Sequence, residues 1–141
     1  MKKILFAIMI ASSLLMTSCE DLFNTTPQTP AEKLKGTWQV AETSAEFGAQ
    51  QYLVEFYTDY NDSSKMTIYN FFGLGSWSYV SIDVDNQTIV IPEQTEEGYK
   101  IIGSGTVNDD FTQVNLAFTV EEVVVPQKSV FEVNAVLTKE E

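Results

Sequence analysis

The strongest constraint in this sequence is a period of two. In the stretch from Phe111 to Glu121, Val114, Leu116, Phe118 and Val120 fall on one side of an extended chain, and Asn115, Ala117, Thr119 and Glu121 on the other. Successive side chains of a strand point to opposite faces, so this alternation predicts a half-buried β-strand. The pattern recurs along the chain. Leu34, Gly36, Trp38 and Val40 share one face of a first strand, and either Val54 with Phe56 or Leu53 with Tyr57 continue it between Tyr52 and Thr58. Met66 to Phe71, Trp77 to Val84, a short Thr88 to Ile91 ahead of Pro92, and Tyr99 to Val107 follow. A last strand sets Phe131, Val133, Ala135 and Leu137 against Glu132, Asn134 and Thr138. Only Ala41 to Gln50 reads as helical, and Gly48 ends it.

The connectors Asp59-Tyr60-Asn61-Asp62-Ser63, Asp83-Val84-Asp85-Asn86, Asn108-Asp109-Asp110 and Val125-Pro126-Gln127 are short and rich in side chains that bond their own backbone. Short links join antiparallel neighbours and leave no room for crossover helices. Eight strands in meander order must close or leave two exposed edges. The fold expected is all-β, a single antiparallel eight-stranded up-and-down barrel over residues 34–141, with a two-sheet β-sandwich as the alternative. Gly103 and Gly105 suit a strand coiled sharply at a barrel corner.

Ahead of this body, Met1-Lys2-Lys3 precedes a 13-residue apolar stretch from Ile4 to Met16. A membrane-spanning helix needs about 20 residues, so the segment reads as a signal peptide over residues 1–18. Leu15-Met16-Thr17-Ser18-Cys19 resembles a bacterial lipobox. The resemblance implies cleavage before Cys19, a diacylglycerol on its thiol and an acyl chain such as palmitate on its amine, which suffice for stable anchoring. Residues 19–33, with Pro27 and Pro30, read as a lipidated cysteine and flexible tether. Loss of Lys2 and Lys3 takes the net charge from -12 to -14.

The residue inventory narrows the chemistry. The chain has no histidine, no arginine and one cysteine. Imidazole acid-base catalysis, His-containing metal sites, Ser-His-Asp or Cys-His catalysis and disulfides within the chain all lack a required residue. Nucleic acid is an unsuitable partner for so acidic a surface. Two carboxylates alone can hydrolyse glycosides, which keeps a hydrolase as a distant alternative. Glu93, Glu96, Glu97, Asp109, Asp110, Glu121 and Glu122, however, fall in turns or on outward strand positions. Asp59, Asn61 and Asp62, and Asp83, Asp85 and Asn86, lack the calcium-loop pattern and read as Asx-turns. The expectation is no catalytic residue, no metal and no cofactor.

Gly36-Thr37-Trp38, at the start of the first strand, resembles the Gly-x-Trp signature of lipocalin-type calycin barrels. In that family the tryptophan closes the barrel base, commonly beneath an arginine, and this chain has no arginine. Tyr69-Asn70-Phe71-Phe72-Gly73-Leu74-Gly75, Ile89-Val90-Ile91-Pro92-Glu93-Gln94 and Ile102-Gly103-Ser104-Gly105 are similar to stretches of small lipocalin-like lipoproteins of gut Bacteroidetes. The resemblance spans approximately residues 34 to 138. It implies a lipid-anchored place in the cell outer membrane, with Glu20-Asp21 partly resembling a surface-export signal.

Two sets of residues are candidates for binding. Trp38, Phe56, Phe72, Trp77, Tyr79, Phe118 and Phe131 can line a cavity or fill a core, with Tyr69, Tyr99 or Asn115 as the polar groups a pocket would need. Separately, Phe71, Phe72, Leu74, Trp77 and Tyr79 lie in and beside a glycine-rich connector, where aromatics can stack on a sugar ring, contact a partner, or plug the barrel. The expectation is a non-enzymatic envelope lipoprotein that binds a small apolar molecule, a glycan or an envelope protein. Its alternative is a structural or accessory subunit with a filled barrel.

Overall fold

The computed structural model describes residues 27–124 and 128–141. The expected signal peptide, Cys19, most of the expected tether and the Val125-Pro126-Gln127 connector lie outside the described residues. Eight antiparallel strands, β1 (Gly36–Ser44), β2 (Gly48–Thr58), β3 (Lys65–Tyr69), β4 (Tyr79–Asp85), β5 (Thr88–Glu96), β6 (Tyr99–Val107), β7 (Gln113–Glu122) and β8 (Val130–Lys139), pair in sequence order. β8 returns to β1, with Trp38 opposite Lys139, Val40 opposite Leu137 and Ser44 opposite Val133, and the sheet closes. It is the up-and-down barrel that the alternation predicts, and no second sheet forms a sandwich.

The inward set follows the sequence parity. Val54 and Phe56 of β2 are buried while Leu53 and Tyr57 are exposed, which settles the two phases left open by sequence. Val114, Leu116, Phe118 and Val120 of β7 and Phe131, Val133, Ala135 and Leu137 of β8 all face the core. On β6, Gly103 and Gly105 occupy inward positions. A Cβ at Gly103 would overlap Phe118 and the Ala117 carbonyl oxygen, and one at Gly105 would overlap Leu116 and the Asn115 carbonyl oxygen. β6 and β7 approach so closely there that only glycine fits.

Three local readings change. The segment from Ala41 to Gln50 is not helical: β1 runs on to Ser44, a turn covers Ala45–Phe47, and β2 starts at Gly48 with φ +69°. Glu42 and Ser44 continue the inward parity of Trp38 and Val40, and strand pairing overrides helix propensity. β5 continues past Pro92 to Glu96 because the pairing with β6 shifts register between Ile91 and Gln94. A bulge accommodates a proline that a regular ladder would exclude. At this irregularity the Gln94 side-chain amide accepts from Ser81 N and donates to Ser81 O, both at 2.8 Å, and so takes the place of a strand peptide beside β4.

The third change is at the tether, which ends sooner than Lys33. Pro30–Leu34 forms a one-turn helix, α1, with Ala31 and Leu34 buried. Thr29 Oγ1 accepts from Glu32 N at 3.2 Å and Glu32 Oε2 accepts from Thr29 N at 2.8 Å, a reciprocal capping box. Pro30 sits at the first helical position, where its missing N–H costs nothing. A proline read as a linker residue is thus a helix starter.

α1 closes the base of the barrel through Trp38. The indole is fully buried, packs on Phe56 at 5.4 Å between centroids, and donates from Nε1 to Leu34 O at 2.8 Å. Lys139 Nζ lies 5.7 Å from the centre of the Trp38 ring and donates to Lys33 O. The last residue of β8 therefore covers the tryptophan with a cation although the chain has no arginine. Trp38→Ala should lower the unfolding free energy by about 3–5 kcal/mol, the usual cost of emptying a large aromatic site. Trp38→Phe, which keeps a ring but strips the N–H, should cost about 1–2 kcal/mol. Urea unfolding followed by circular dichroism measures both, and a phenylalanine variant as stable as the wild type would show that the bond to α1 contributes nothing.

Candidate functional site

The glycine-rich connector between β3 and β4 divides its aromatics between the two sides of the barrel wall. Asn70 adopts a left-handed conformation (φ +59°), its Nδ2 donates to Leu53 O at 2.7 Å, and its Oδ1 accepts from Gly75 N at 2.9 Å. Asparagine tolerates this conformation better than other residues with a Cβ. The turn it fixes sends Phe71–Gly73 over the barrel mouth as a single 3-10 turn, so Phe71 does not extend β3. Phe71 is buried against Phe118 at 4.8 Å. Phe72, itself left-handed at φ +57°, meets Phe118, Tyr99 and Phe47 at 6.1, 6.3 and 6.0 Å, and Phe47 meets Phe131 at 4.9 Å. These rings form a plug. Leu74, at the end of the 3-10 turn, is half-buried.

Beneath the plug the interior is filled. The cavity between Val40, Tyr52, Ile68, Phe71, Leu116 and Leu137 is about 10 Å³, space for about one water. Trp38, Phe56, Phe118 and Phe131 are thus core residues. None of the three polar residues considered for an internal pocket lies deep inside: Tyr69 and Asn115 point outward, and Tyr99 is half-buried at the mouth. The interior polar groups include Glu42 and Tyr52, whose phenol donates to Glu42 Oε2 at 2.6 Å. The signal for both was parity, since Glu42 is in phase with Trp38 and Val40, and Tyr52 with Val54 and Phe56. Burial pushes the Glu42 carboxyl above its ordinary pKa, and the Tyr52 hydrogen bond only partly opposes this. Burial, and then the neighbouring carboxylate, push the Tyr52 phenol far above the usual tyrosine range.

Trp77 and Tyr79 turn the other way. Trp77 is 88% exposed on the connector, and Tyr79 stands on the outer face of β4. Directly across the ladder from Tyr79 is Tyr69 of β3, with centroids 5.8 Å apart, and Tyr57 of β2 meets Tyr69 edge-on at 5.4 Å and 89°. The three rings form a row across β2, β3 and β4. Alongside lies a concavity of about 580 Å³ bordered by Tyr57, Tyr69, Tyr60, Glu55, Asp59 and Ser76, with Thr58 and Thr67 completing it. Tyr60 is almost fully exposed. Of the residues read from sequence as contacts, the structure therefore puts Tyr79 on the outer face, leaves Trp77 exposed on the connector and Leu74 half-buried there, and removes Phe71 and Phe72 to the plug. Tyr57, Tyr60 and Tyr69 were missed as outer-face residues, although Tyr57 is out of phase with Phe56 and Tyr69 with Ile68.

The acidic turns have local partners. Asp59 Oδ1 accepts from Asn61 N and Asp62 N at 2.7 and 3.1 Å, and Asp62 Oδ1 accepts from Ser64 N and Oγ at 3.0 and 2.6 Å. Asp83 pairs with Lys65 at 3.3 Å. Lys100 bridges Glu93 and Glu121 at 3.2 and 3.6 Å.

With this geometry in hand, known proteins show the same architecture. No protein-family model matches the chain, and no curated protein matches its sequence. Among solved structures it is similar to a redesigned β-barrel, b11L5F_LGL, at a TM-score of 0.56 and 18% identity, over 79% of this chain and 95% of that one. It is also similar to EF1p2_mFAP2b bound to DFHBI, at a TM-score of 0.55 and 18% identity, over 78% of this chain and 96% of that one. At that identity the likeness establishes the barrel fold.

The buried Glu42 gives a pH test with a definite sign. Its pKa is raised on folding, so the native state favours the protonated acid. The stabilisation this gives is complete below the unfolded pKa and is lost as pH rises through the folded value. Glu42→Gln keeps an oxygen for the Tyr52 phenol without a titrating group. Its stability relative to the wild type should therefore increase over the pH interval that starts at the ordinary glutamate value of about 4.3 and runs upward. A difference in urea midpoint that stays flat over that interval, or falls, would contradict the assignment.

Proposed function

We propose that this chain is a non-catalytic binding lipoprotein of the cell envelope, held in the outer membrane by acyl chains on Cys19. In this reading it meets its partner with the outside of the barrel, through Tyr57, Tyr69, Tyr79 and Trp77. The observation that carries the choice of surface is the contrast between an interior whose cavity beneath the plug is about 10 Å³ and a contiguous row of exposed aromatic rings on one outer face. Exposed aromatics grouped with polar neighbours mark interaction surfaces, because scattered ones would be enough for a sheet with nothing to bind. EF1p2_mFAP2b, which this chain resembles in fold, is bound to DFHBI. The lipocalin-like lipoprotein reading is supported by the Gly36-Thr37-Trp38 base, the Lys139 cover and the lipobox at Cys19. The filled interior equally suits an accessory subunit of an envelope complex, which would use the same outer face on a protein.

Two measurements test this. Mass spectrometry of the native protein should find Cys19 as the N-terminal residue carrying acyl chains, and a free thiol on processed material would end the anchoring proposal. Hydroxyl-radical footprinting should label Trp77, Tyr57 and Tyr79 several-fold less in the native envelope than in the purified chain in detergent. Equal labelling in both would remove the face as a site of contact.

A further inference from the structure

We propose that the concavity beside the tyrosine row takes a neutral, chain-like glycan; this rests on the outer-face reading above and names its ligand class. All eight side chains that border the concavity carry an oxygen, and none is aliphatic. A protein hot spot or a lipid chain requires a dry apolar pocket, which this is not. A pyranose ring has the complementary chemistry: an apolar C–H face that stacks on an aromatic ring, and a rim of hydroxyls that donate to carboxylates and exchange hydrogen bonds with phenols and serine. At about 580 Å³ the concavity has the size of a small-molecule site.

Charge and ring geometry exclude the neighbouring ligand classes. Glu55 and Asp59 border the site with no lysine among the lining residues, and Lys65 on the same strand as Tyr69 is engaged by Asp83 at 3.3 Å. Phosphorylated, sulfated and uronic ligands meet like charge there. Carboxylates with tyrosines also suit a quaternary ammonium, but a cation cage needs aromatic faces that converge on an empty centre. Here Tyr57 and Tyr79 both contact Tyr69 directly, at 5.4 and 5.8 Å, so the rings form a line with no space between them. A line of rings fits a ligand that extends along it. Asp59 commits Oδ1 to its own turn, and its Oδ2 makes no hydrogen bond among the described residues, so that oxygen is free to accept from a hydroxyl.

The test uses the full chain in detergent, titrated with cellohexaose, maltohexaose and mannohexaose, with a galacturonate hexamer and choline chloride as charged comparisons. Calorimetry and Trp77 fluorescence are the readouts. At least one neutral hexasaccharide should bind, and Tyr69→Ala, Tyr69→Leu and Glu55→Gln should each weaken it about tenfold. Tyr69→Leu keeps an apolar side chain in β3 without the ring, and Thr119→Ala on the outer face of β7 should leave binding unchanged. Thermal unfolding of each variant separates lost binding from lost fold. No response to any neutral oligomer, or tighter binding of choline or the galacturonate, overturns the glycan. If the envelope footprint at Trp77 and Tyr79 persists in that case, only the ligand class falls; if the footprint is also absent, the face falls with it.

Discussion

The ladder between β1 and β8 is the constraint on which the rest of the molecule depends. Once Trp38 pairs with Lys139 and Ser44 with Val133, the sheet has no free edge and its interior has a fixed volume. Every inward position must then be filled or left empty by its own side chain. Here Ile68, Ile82, Ile89, Ile91, Ile101 and Leu116, with Trp38 and Phe56 below and Phe71 above, fill it. The inward glycines at 103 and 105 belong to the same solution, because β6 and β7 lie too close for a Cβ at either place. Among the described residues the cavity beneath the plug is about 10 Å³, and the larger concavity bordered by Tyr57 and Tyr69 lies on the outer wall.

Both ends are closed, by different physics. At the base, the closure is covalently local: α1 is followed almost at once by β1, and the Trp38 indole ties the two through Leu34 O while Lys139 covers the ring. At the mouth the closure is a loop held in strained conformations. Asn70 and Phe72 both have positive φ, which for a phenylalanine costs on the order of 1–3 kcal/mol. Burial of Phe71 and the edge contacts of Phe72 with Phe118, Tyr99 and Phe47 offset that cost. The carboxyl of Glu42 lies on the inner wall near this end, and its hydrogen bond from Tyr52 satisfies a polar group that the filled barrel would otherwise leave unpaired.

The sequence made the barrel legible because period-two alternation survives wherever one face of a strand is buried. Val114 to Val120 and Phe131 to Leu137 state their inward sets without ambiguity. The reading faltered where local cues compete with parity. Ala41 to Gln50 has helix-forming residues, yet Glu42 and Ser44 continue the inward phase of Trp38 and Val40. Pro30 looked like a linker residue until the Thr29 and Glu32 cap gave it a place at the start of a helix. The aromatics of the candidate site were harder still. In Phe71-Phe72-Gly73-Leu74-Gly75-Ser76-Trp77 no periodicity applies, and a left-handed Asn70 decides which rings go in and which go out. Backbone sign at a single residue is not written in composition or spacing.

The outer face has its own logic. Exposed aromatic rows on a sheet are an association hazard, and this chain carries one within a strongly acidic surface. A net charge of -12 for the whole sequence opposes self-association at long range, while Glu55 and Asp59 place negative charge at the border of the tyrosines. Two copies approaching ring to ring would bring those carboxylates together without a lysine in either lining. The acids that repel a second copy do not repel a neutral polyhydroxylated ligand of the class proposed above, whose hydroxyls would donate to them. Under that proposal the same side chains keep the rings accessible and select what reaches them, which would account for aromatic exposure on a protein whose core has no further use for those residues.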